Sequence, residues 1–208
     1  MISFELWLAY VATVSIIVIT PGPSVLLAAS HGMSHGLNKT FGTITGDLSA
    51  NIIQMILAAL GLGAILLASE SLFYGMKWVG VGYLVYMGIK QWRSSSQNLF
   101  KTENGKNVSV KKLFLTGFSV SASNPKAILF FAALFPMFID PSLAKLPQII
   151  ILGMTFIILD GSSLIVYAKF AEKIKTWLES RGKENMQNKI IGSLLLLAAG
   201  ALSLVKRS

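Results

Sequence analysis

The chain has 208 residues, of which 53% are hydrophobic and only 13% are charged, with a formal net charge of +9. Soluble domains carry about 25% charged residues, and the mean hydropathy here is +0.65, so the composition excludes an ordinary soluble domain and indicates an integral membrane protein. The chain has no cysteine, which excludes disulfides, thiol nucleophiles and thiolate metal sites. The basic residues lie in blocks between apolar runs, so we expect them to report topology and not a nucleic-acid surface.

Six apolar stretches dominate the sequence, and each reaches or approaches the roughly 20 residues that cross a bilayer as a helix. They leave no room for a separate soluble domain, so we expect an all-α membrane protein with one transmembrane domain over residues 1–208. Because the first residues carry no basic side chain, we do not expect a cleaved signal peptide. The stretches are Phe4–Ala29, Phe41–Ala68, Leu72–Gln91, Leu113–Phe138, Pro147–Phe170 and Ile190–Val205.

The first and fourth stretches are interrupted by helix breakers. The first contains Pro21-Gly22-Pro23, and the fourth contains Asn124-Pro125, followed by Lys126. Each break falls in the first span of a group of three, and three spans make an odd number of crossings, so the two groups must have opposite orientations. We therefore expect two inverted repeats, over about residues 1–92 and 113–208, joined by a polar linker over about 93–112. Interrupted helices at matching positions of inverted repeats are typical of a transporter's central site.

The second span of each predicted repeat carries an aspartate next to a glycine. Asp47 begins a polar stripe, because Asn51 and Gln54 follow it at i+4 and i+7 on the same helical face. Asp160 is the counterpart in the second repeat. An aspartate at the centre of a membrane helix costs about 2.5–3.5 kcal/mol on insertion scales, so it usually faces the protein interior or a pathway.

Two further patterns predict how these spans pack. Lys126 lies too deep in its span to reach the interface, so it needs a carboxylate or carbonyl partner, for which Asp47 and Asp160 are candidates. Gly42 and Gly46 form a GxxxG pair that allows another helix to approach closely. Such glycine-spaced faces also permit a homodimer.

The basic residues predict the orientation of the spans. Thirteen of the 18 lysines and arginines lie in the connections after the first, third and fifth stretches, and four lie on the other face. Cytoplasmic loops carry an excess of these residues. We therefore expect the basic connections to be cytoplasmic and both termini to be outside. If the short sixth stretch does not span, the C-terminus moves inside.

The segment Lys169–Lys189 permits two interpretations. Phe170, Ile174, Trp177 and Leu178 follow helical spacing with basic residues between them, which is typical of a helix lying along the inner membrane surface. A simple extension of the fifth span, with lysines reaching toward the interface, explains the same pattern.

The paired breaks predict a polar site near the middle of the membrane. Backbone groups freed by a proline are tolerated there only inside protein or beside a wet cavity. Freed carbonyls can hold an ammonium group, and a helix N-terminus can hold a carboxylate, so a pair of broken helices suits a zwitterion. Because desolvation disfavours the charged form of a carboxyl group, Asp47 or Asp160 is our candidate proton carrier. The predicted substrate-binding residues are Pro21, Gly22, Pro23, Ser24, Asn51, Asn124, Pro125 and Lys126.

Other functions have weaker support. Two intramembrane aspartates could form a protease dyad, but Ile44-Thr45-Gly46-Asp47 lacks the first glycine of the Gly-x-Gly-Asp pattern. A channel for small polar solutes could use the same breaks and acids, and it stays open. His31 and His35 are four residues apart in a loop between spans, and we expect them to be interfacial and partly solvated. Two ligands without a cysteine or carboxylate nearby make a poor metal site, so we expect neither metal nor cofactor.

Three motifs resemble those of the LysE/RhtB family of amino-acid exporters. They are "TPGPSVLLAASHGMSHG", "MKWVGVGYLVYMGIKQWR" and "NPKAILFFAALFPMFI", in that order, and the likeness spans nearly the whole chain. The family's motif positions correspond to Pro21, Gly22, Pro23, Asn124, Pro125, Lys126 and Asp160, whereas the position of Asp47 is more variable.

The resemblance is nearest to the branch that handles homoserine, threonine and related neutral amino acids. It implies efflux of small neutral amino acids or their derivatives across the bacterial inner membrane, by proton antiport. The expected partners are the lipid bilayer, the amino-acid substrate and the proton.

Overall fold

Proline and glycine divide the first apolar stretch into two helices. In the computed structural model, which describes residues 2–61, 70–93, 108–180 and 184–204, α1 spans Phe4–Ile19 and α2 spans Pro23–His35. The two axes are bent by 54° at the break. Pro23 occupies the first turn of α2, where its missing N–H is not needed. The predicted first break is therefore present.

The connection from α2 to α3 is a single glycine. Gly36 has a φ of +77°, a left-handed conformation that glycine adopts without a Cβ clash, and α3 follows at once as Leu37–Ala59. Next in the described part of the chain is α4, Glu70–Trp92. Residues 62–68 of the predicted second span, and most of the predicted linker over 93–112, lie outside the described residues.

The fourth apolar stretch is also divided at the predicted position. α5 spans Val110–Ala122, and α6 begins at Pro125 and runs to Leu129. The chain continues from α6 as a π-helical turn, Phe130–Leu134, and a 3₁₀ turn, Phe135–Phe138.

The helix formed by the fifth apolar stretch, α7, distinguishes between the two interpretations of its basic end. α7 runs without interruption from Lys145 to Glu179, a length of 35 residues, so the basic segment up to Glu179 extends the fifth span. At 1.5 Å per residue α7 is about 50 Å long, against a hydrocarbon core of about 30 Å. The last helix, α8, spans Glu184–Leu204 and therefore begins earlier than the short predicted sixth stretch.

Glycines bring the helices into close contact in three pairs. α3 lies along α5, where a Cβ at Gly46 would overlap the carbonyl of Phe114 and one at Gly117 would overlap that of Thr43. α2 packs on α7, with Gly32 against Ala168, and α4 packs on α8. Gly42 and Gly46 therefore do allow close packing, but with a helix of the same chain.

The described residues form helices and turns and include no strand. By length and hydropathy, α7 qualifies as a membrane span from Lys145 to Leu178, and the bent pair of α1 and α2 qualifies together. The number of six spans stays a prediction. Large apolar side chains such as Ile16, Ile56, Ile158 and Val166 are at least half exposed on the outside of the helices, as expected for surfaces that face lipid.

Candidate functional site

The carbonyls at the end of α1 are hydrogen-bonded by side chains from the second half of the chain. Because the helix stops, these carbonyls have lost their intrahelical partners. Lys126 Nζ donates to the carbonyls of Ile17 and Thr20, at 2.6 and 2.7 Å. The remaining two are Val18 O, which accepts from Ser163 Oγ at 2.9 Å, and Ile19 O, which accepts from Tyr167 OH at 2.8 Å.

This arrangement identifies the partner of Lys126. Of the two partner types expected, its hydrogen bonds go to backbone carbonyls of α1, at the negative end of the helix dipole. A Cβ at Gly22 would lie 3.4 Å from the ammonium nitrogen, at ordinary contact distance, so the lysine lies directly beside the first break. Freed carbonyls thus hold a cation, as expected for such a break, but the cation is the protein's own.

The second break is tied to the first. Asn124 Nδ2 donates to Ser24 Oγ at 3.3 Å, and Asn124 Oδ1 accepts from the backbone N–H of Lys126. The carbonyls of Ser121 and Ala122, at the end of α5, accept from Gln54 Nε2 at 3.1 and 3.3 Å. Side chains of the first half therefore cap the broken helix of the second half.

Two buried carboxyl groups meet beside the breaks. Asn51 Nδ2 donates to Asp47 Oδ2 at 2.9 Å and to Asp160 Oδ2 at 3.1 Å. Asp47 is 3% exposed and Asp160 is 7% exposed, so the amide of Asn51 joins two buried carboxyl groups from different helices.

A small cavity of about 30 Å³, which has room for ordered water, connects these groups. Apolar walls are formed by Val18, Val25, Ala127, Phe130 and Phe156, among others. The predicted site residues that line the cavity are Gly22, Ser24, Asp47, Asn51, Asn124, Lys126 and Asp160. Of the other predicted members, Pro21 and Pro23 belong to the first break and Pro125 begins α6.

Three hydroxyl groups of this region did not stand out in the sequence. Ser163 and Tyr167 lie on the same side of α7 as Asp160, at i+3 and i+7, much as Asn51 and Gln54 follow Asp47. That spacing could have indicated them. Ser121, whose Oγ donates to Asn51 Oδ1 at 3.0 Å, carried no such signal.

The expectation for the two histidines was wrong in two respects. His31 and His35 belong to α2 and not to a loop, and His31 is buried, at 5% exposure, whereas His35 is partly exposed as expected. Its Nδ1 lies 2.6 Å from Thr43 Oγ1, because the single-residue connection folds α3 back against α2. Within the described ranges, no group of three or more His, Asp or Glu residues is placed to hold a metal ion.

These features define a class of protein. Helices interrupted in the apolar interior, with a polar cavity and buried carboxyl groups between the interruptions, are the architecture of a membrane transport protein. The chain belongs to the LysE type translocator family, whose family model matches residues 15–205. It is therefore a membrane transporter and not an enzyme, which removes the protease interpretation.

Curated relatives cover most of the chain. A homoserine/homoserine lactone efflux protein of Salmonella typhimurium is 33% identical over 205 residues, which are 97% of both chains. An uncharacterized membrane protein of Vibrio cholerae is 31% identical and covers 92% of this chain and 93% of its own. A leucine efflux protein of an Enterobacter species is 30% identical, with 79% and 83% covered. No solved structure matches the chain.

Proposed function

We propose that this protein exports small neutral amino acids or their derivatives across the bacterial inner membrane in exchange for protons. The candidate substrates are of the homoserine, threonine and leucine type. The names of the Salmonella and Enterobacter relatives support this substrate class. The observation that carries the proposal is the meeting of Asp47 and Asp160 in a cavity that both helix breaks line.

The carboxyl pair provides the cation-binding end of the site. In the substrate-free protein the two carboxyl groups share one proton. A substrate ammonium group that enters from the cytoplasm replaces this proton, because it carries the same charge and can donate to both Asp47 and Asp160. At the outer face a proton displaces the ammonium group, so one proton enters for each amino acid that leaves.

The opposite end of the cavity suits the substrate carboxylate. The ammonium group of Lys126 lies beside Gly22, and α2 begins there without a side-chain cap. A lysine and the positive end of a helix both favour a negative charge. Ser24 and Asn124, which join the two breaks, complete the polar wall, and Pro21, Pro23 and Pro125 hold the backbone open.

The finer architecture belongs to the same proposal. We infer six spans in two inverted repeats, with the basic connections in the cytoplasm and both termini outside. The contacts between helices support this arrangement, because α3 packs on α5, α7 packs on α2, and α4 packs on α8. The helix that follows the break in each half thus packs on the broken helix of the other half. A homodimer is compatible with the proposal and is not required by it.

Transport by proteoliposomes tests the role of the carboxyl pair. Uptake of labelled homoserine and leucine is measured under an imposed pH gradient for the wild type, Asp47→Asn and Asp160→Asn. Each variant should lose at least about tenfold in proton-driven uptake, because a charge-assisted hydrogen bond contributes about 1.5–3 kcal/mol and tenfold corresponds to about 1.4 kcal/mol. Asp140→Asn is the matched control, since Asp140 lies in the connection between the 3₁₀ turn and α7.

The outcomes separate the alternatives. Full gradient-driven uptake by both variants would refute the carboxyl mechanism. A carrier also accelerates labelled uptake when unlabelled substrate is present on the opposite side, whereas a channel does not, so absence of this counterflow would favour the channel.

A further inference from the structure

One hydroxyl group of the carboxyl cluster has no role in the function proposed above. Ser121 lies in the last turn of α5 and is fully buried, at 0% exposure. Its Oγ donates to Asn51 Oδ1 at 3.0 Å. The other end of the same amide, Asn51 Nδ2, donates to Asp47 and Asp160. The Asn51 side chain is therefore hydrogen-bonded at both ends.

The orientation of this amide matters for a pair of carboxyl groups. An asparagine side chain presents two N–H donors on one atom and an acceptor on the other. With Nδ2 toward the carboxyl groups, it stabilises the pair when a proton has left. With Oδ1 toward them, it could only accept, and this would stabilise a protonated carboxyl group. A donor at the position of Ser121 Oγ favours the first orientation.

We propose that Ser121 is a positioning residue of the transport site, whose hydroxyl keeps both N–H groups of Asn51 directed at Asp47 and Asp160. The inference rests on the proposed proton exchange and adds the element that sets its pH range. Without the hydroxyl the amide is free to turn over and accept from a protonated carboxyl group. The pair then releases its proton at higher pH.

The surroundings allow this effect to be isolated. The end of α5 is held by Gln54, which donates to the backbone carbonyls of Ser121 and Ala122, so the helix end does not depend on the Ser121 hydroxyl. Among the described residues, the hydroxyl of Ser123, two positions later, donates only to carbonyls of its own helix, Ser119 O and Val120 O.

Other groups also act on the pair. The charge of Lys126, on α6, acts on both carboxyl groups, and the hydroxyls of Ser24, on α2, and of Ser121 itself lie near Asp47. Three other titratable side chains of the packed helices are not part of the cavity lining. They are His31 on α2, which lies against Thr43; Tyr10 on α1, which lies among phenylalanine rings; and Tyr167 on α7, which donates to Ile19 O.

The experiment compares Ser121→Ala with Ser123→Ala in proteoliposomes over a range of pH, with labelled homoserine and leucine as probes. Ser121→Ala should move the midpoint of the pH dependence upward by about one unit, because a turned amide no longer donates to the ionised pair. The KM at the respective optimum should stay within about twofold. Ser123→Ala should follow the wild-type profile.

A second variant and a second measurement keep the experiment decisive if Ser121→Ala does not fold. Ser121→Cys retains a weak donor and should give an intermediate midpoint, which decides the matter if Ser121→Ala is unstable. Infrared titration of the protonated carboxyl C=O band, without substrate, should show the same upward shift.

The possible failures are distinguishable. A pH-dependent wild type whose midpoint and infrared titration do not change in Ser121→Ala would overturn the role of Ser121 and leave the proposed exchange standing. Substrate flux by the wild type that does not depend on pH would overturn the proton exchange itself, and the role of Ser121 with it.

Discussion

At the scale of single residues, Lys126 explains how a charged side chain is accommodated within a membrane protein. Its ammonium group donates to two carbonyls, Ile17 O and Thr20 O, which have no partner within α1 because the helix ends there. A buried charge and unpaired carbonyls would each cost free energy alone, and together they satisfy each other. The lysine is therefore part of the first helix break although it lies on the other half of the chain.

Removing the hydroxyl group should change the stability of the protein in opposite directions at two tyrosines. Tyr10 is fully buried near Phe130, Phe135 and Phe138, and its hydroxyl has no hydrogen-bond partner among the described residues. An unpaired buried polar group costs about 1–3 kcal/mol. Tyr10→Phe should therefore raise the unfolding temperature in detergent, by about 2–4 °C for each kcal/mol regained.

The control is the same substitution at Tyr167, whose hydroxyl donates to Ile19 O. Tyr167→Phe removes that donor and should lower the unfolding temperature. If both variants shifted in the same direction, hydrogen bonding would not be the cause of either change.

At the scale of the helices, each broken helix is capped by the other half of the chain. Ser163, Tyr167 and Lys126 bind the end of α1, and Gln54 binds the end of α5. A break inside the membrane is stable only if its carbonyls are satisfied by protein. The two halves therefore depend on each other, and neither half supplies all the caps that its own break needs.

The packing of α3 on α5 depends on glycine in both helices. A Cβ at Gly46 would overlap the backbone of Phe114, which cannot move aside as a flexible side chain could. Gly46→Ala should therefore lower the free energy of unfolding by about 1–3 kcal/mol or more. It should also reduce transport, because Asp47 is the next residue.

Gly82→Ala provides the comparison, since a Cβ there meets nothing within 4 Å. Alanine is the better helix former by about 1 kcal/mol, so this variant should be neutral or slightly more stable. Chemical denaturation of both purified variants measures the difference, and equal stability would show that the close approach of α3 and α5 is not required.

At the scale of the whole molecule, the features set by local rules were predictable. The two breaks follow from prolines that lack an N–H, and the face shared by Asp47, Asn51 and Gln54 follows from the helical period. The length of α7 could also have been predicted, because no proline occurs between Gln148 and Glu179.

Contacts between helices were not predictable in the same way. Three contacts depend on how far apart two helices lie. They are the hydrogen bonds of Lys126 to carbonyls at the end of α1, the burial of His31 against Thr43, and the hydrogen bond of Ser121 to Asn51. Sequence spacing along one helix carries no information about that distance, so these contacts needed the structure.

The orientation in the membrane is the last prediction, and the cysteine-free sequence makes it accessible. Asn38, at the start of α3, and Ala144, just before α7, are both exposed, and three predicted spans lie between them. Lys39 belongs to the basic set of connections, so Asn38 should be cytoplasmic and Ala144 outside. In intact cells a membrane-impermeant maleimide should label Ala144→Cys, and it should reach Asn38→Cys only after permeabilisation. The reversed labelling pattern would mean that the protein has the opposite orientation in the membrane and that the carboxyl pair meets its substrate from the other side. Labelling of both cysteines from one side would refute the odd number of crossings between them, on which the inverted repeats depend.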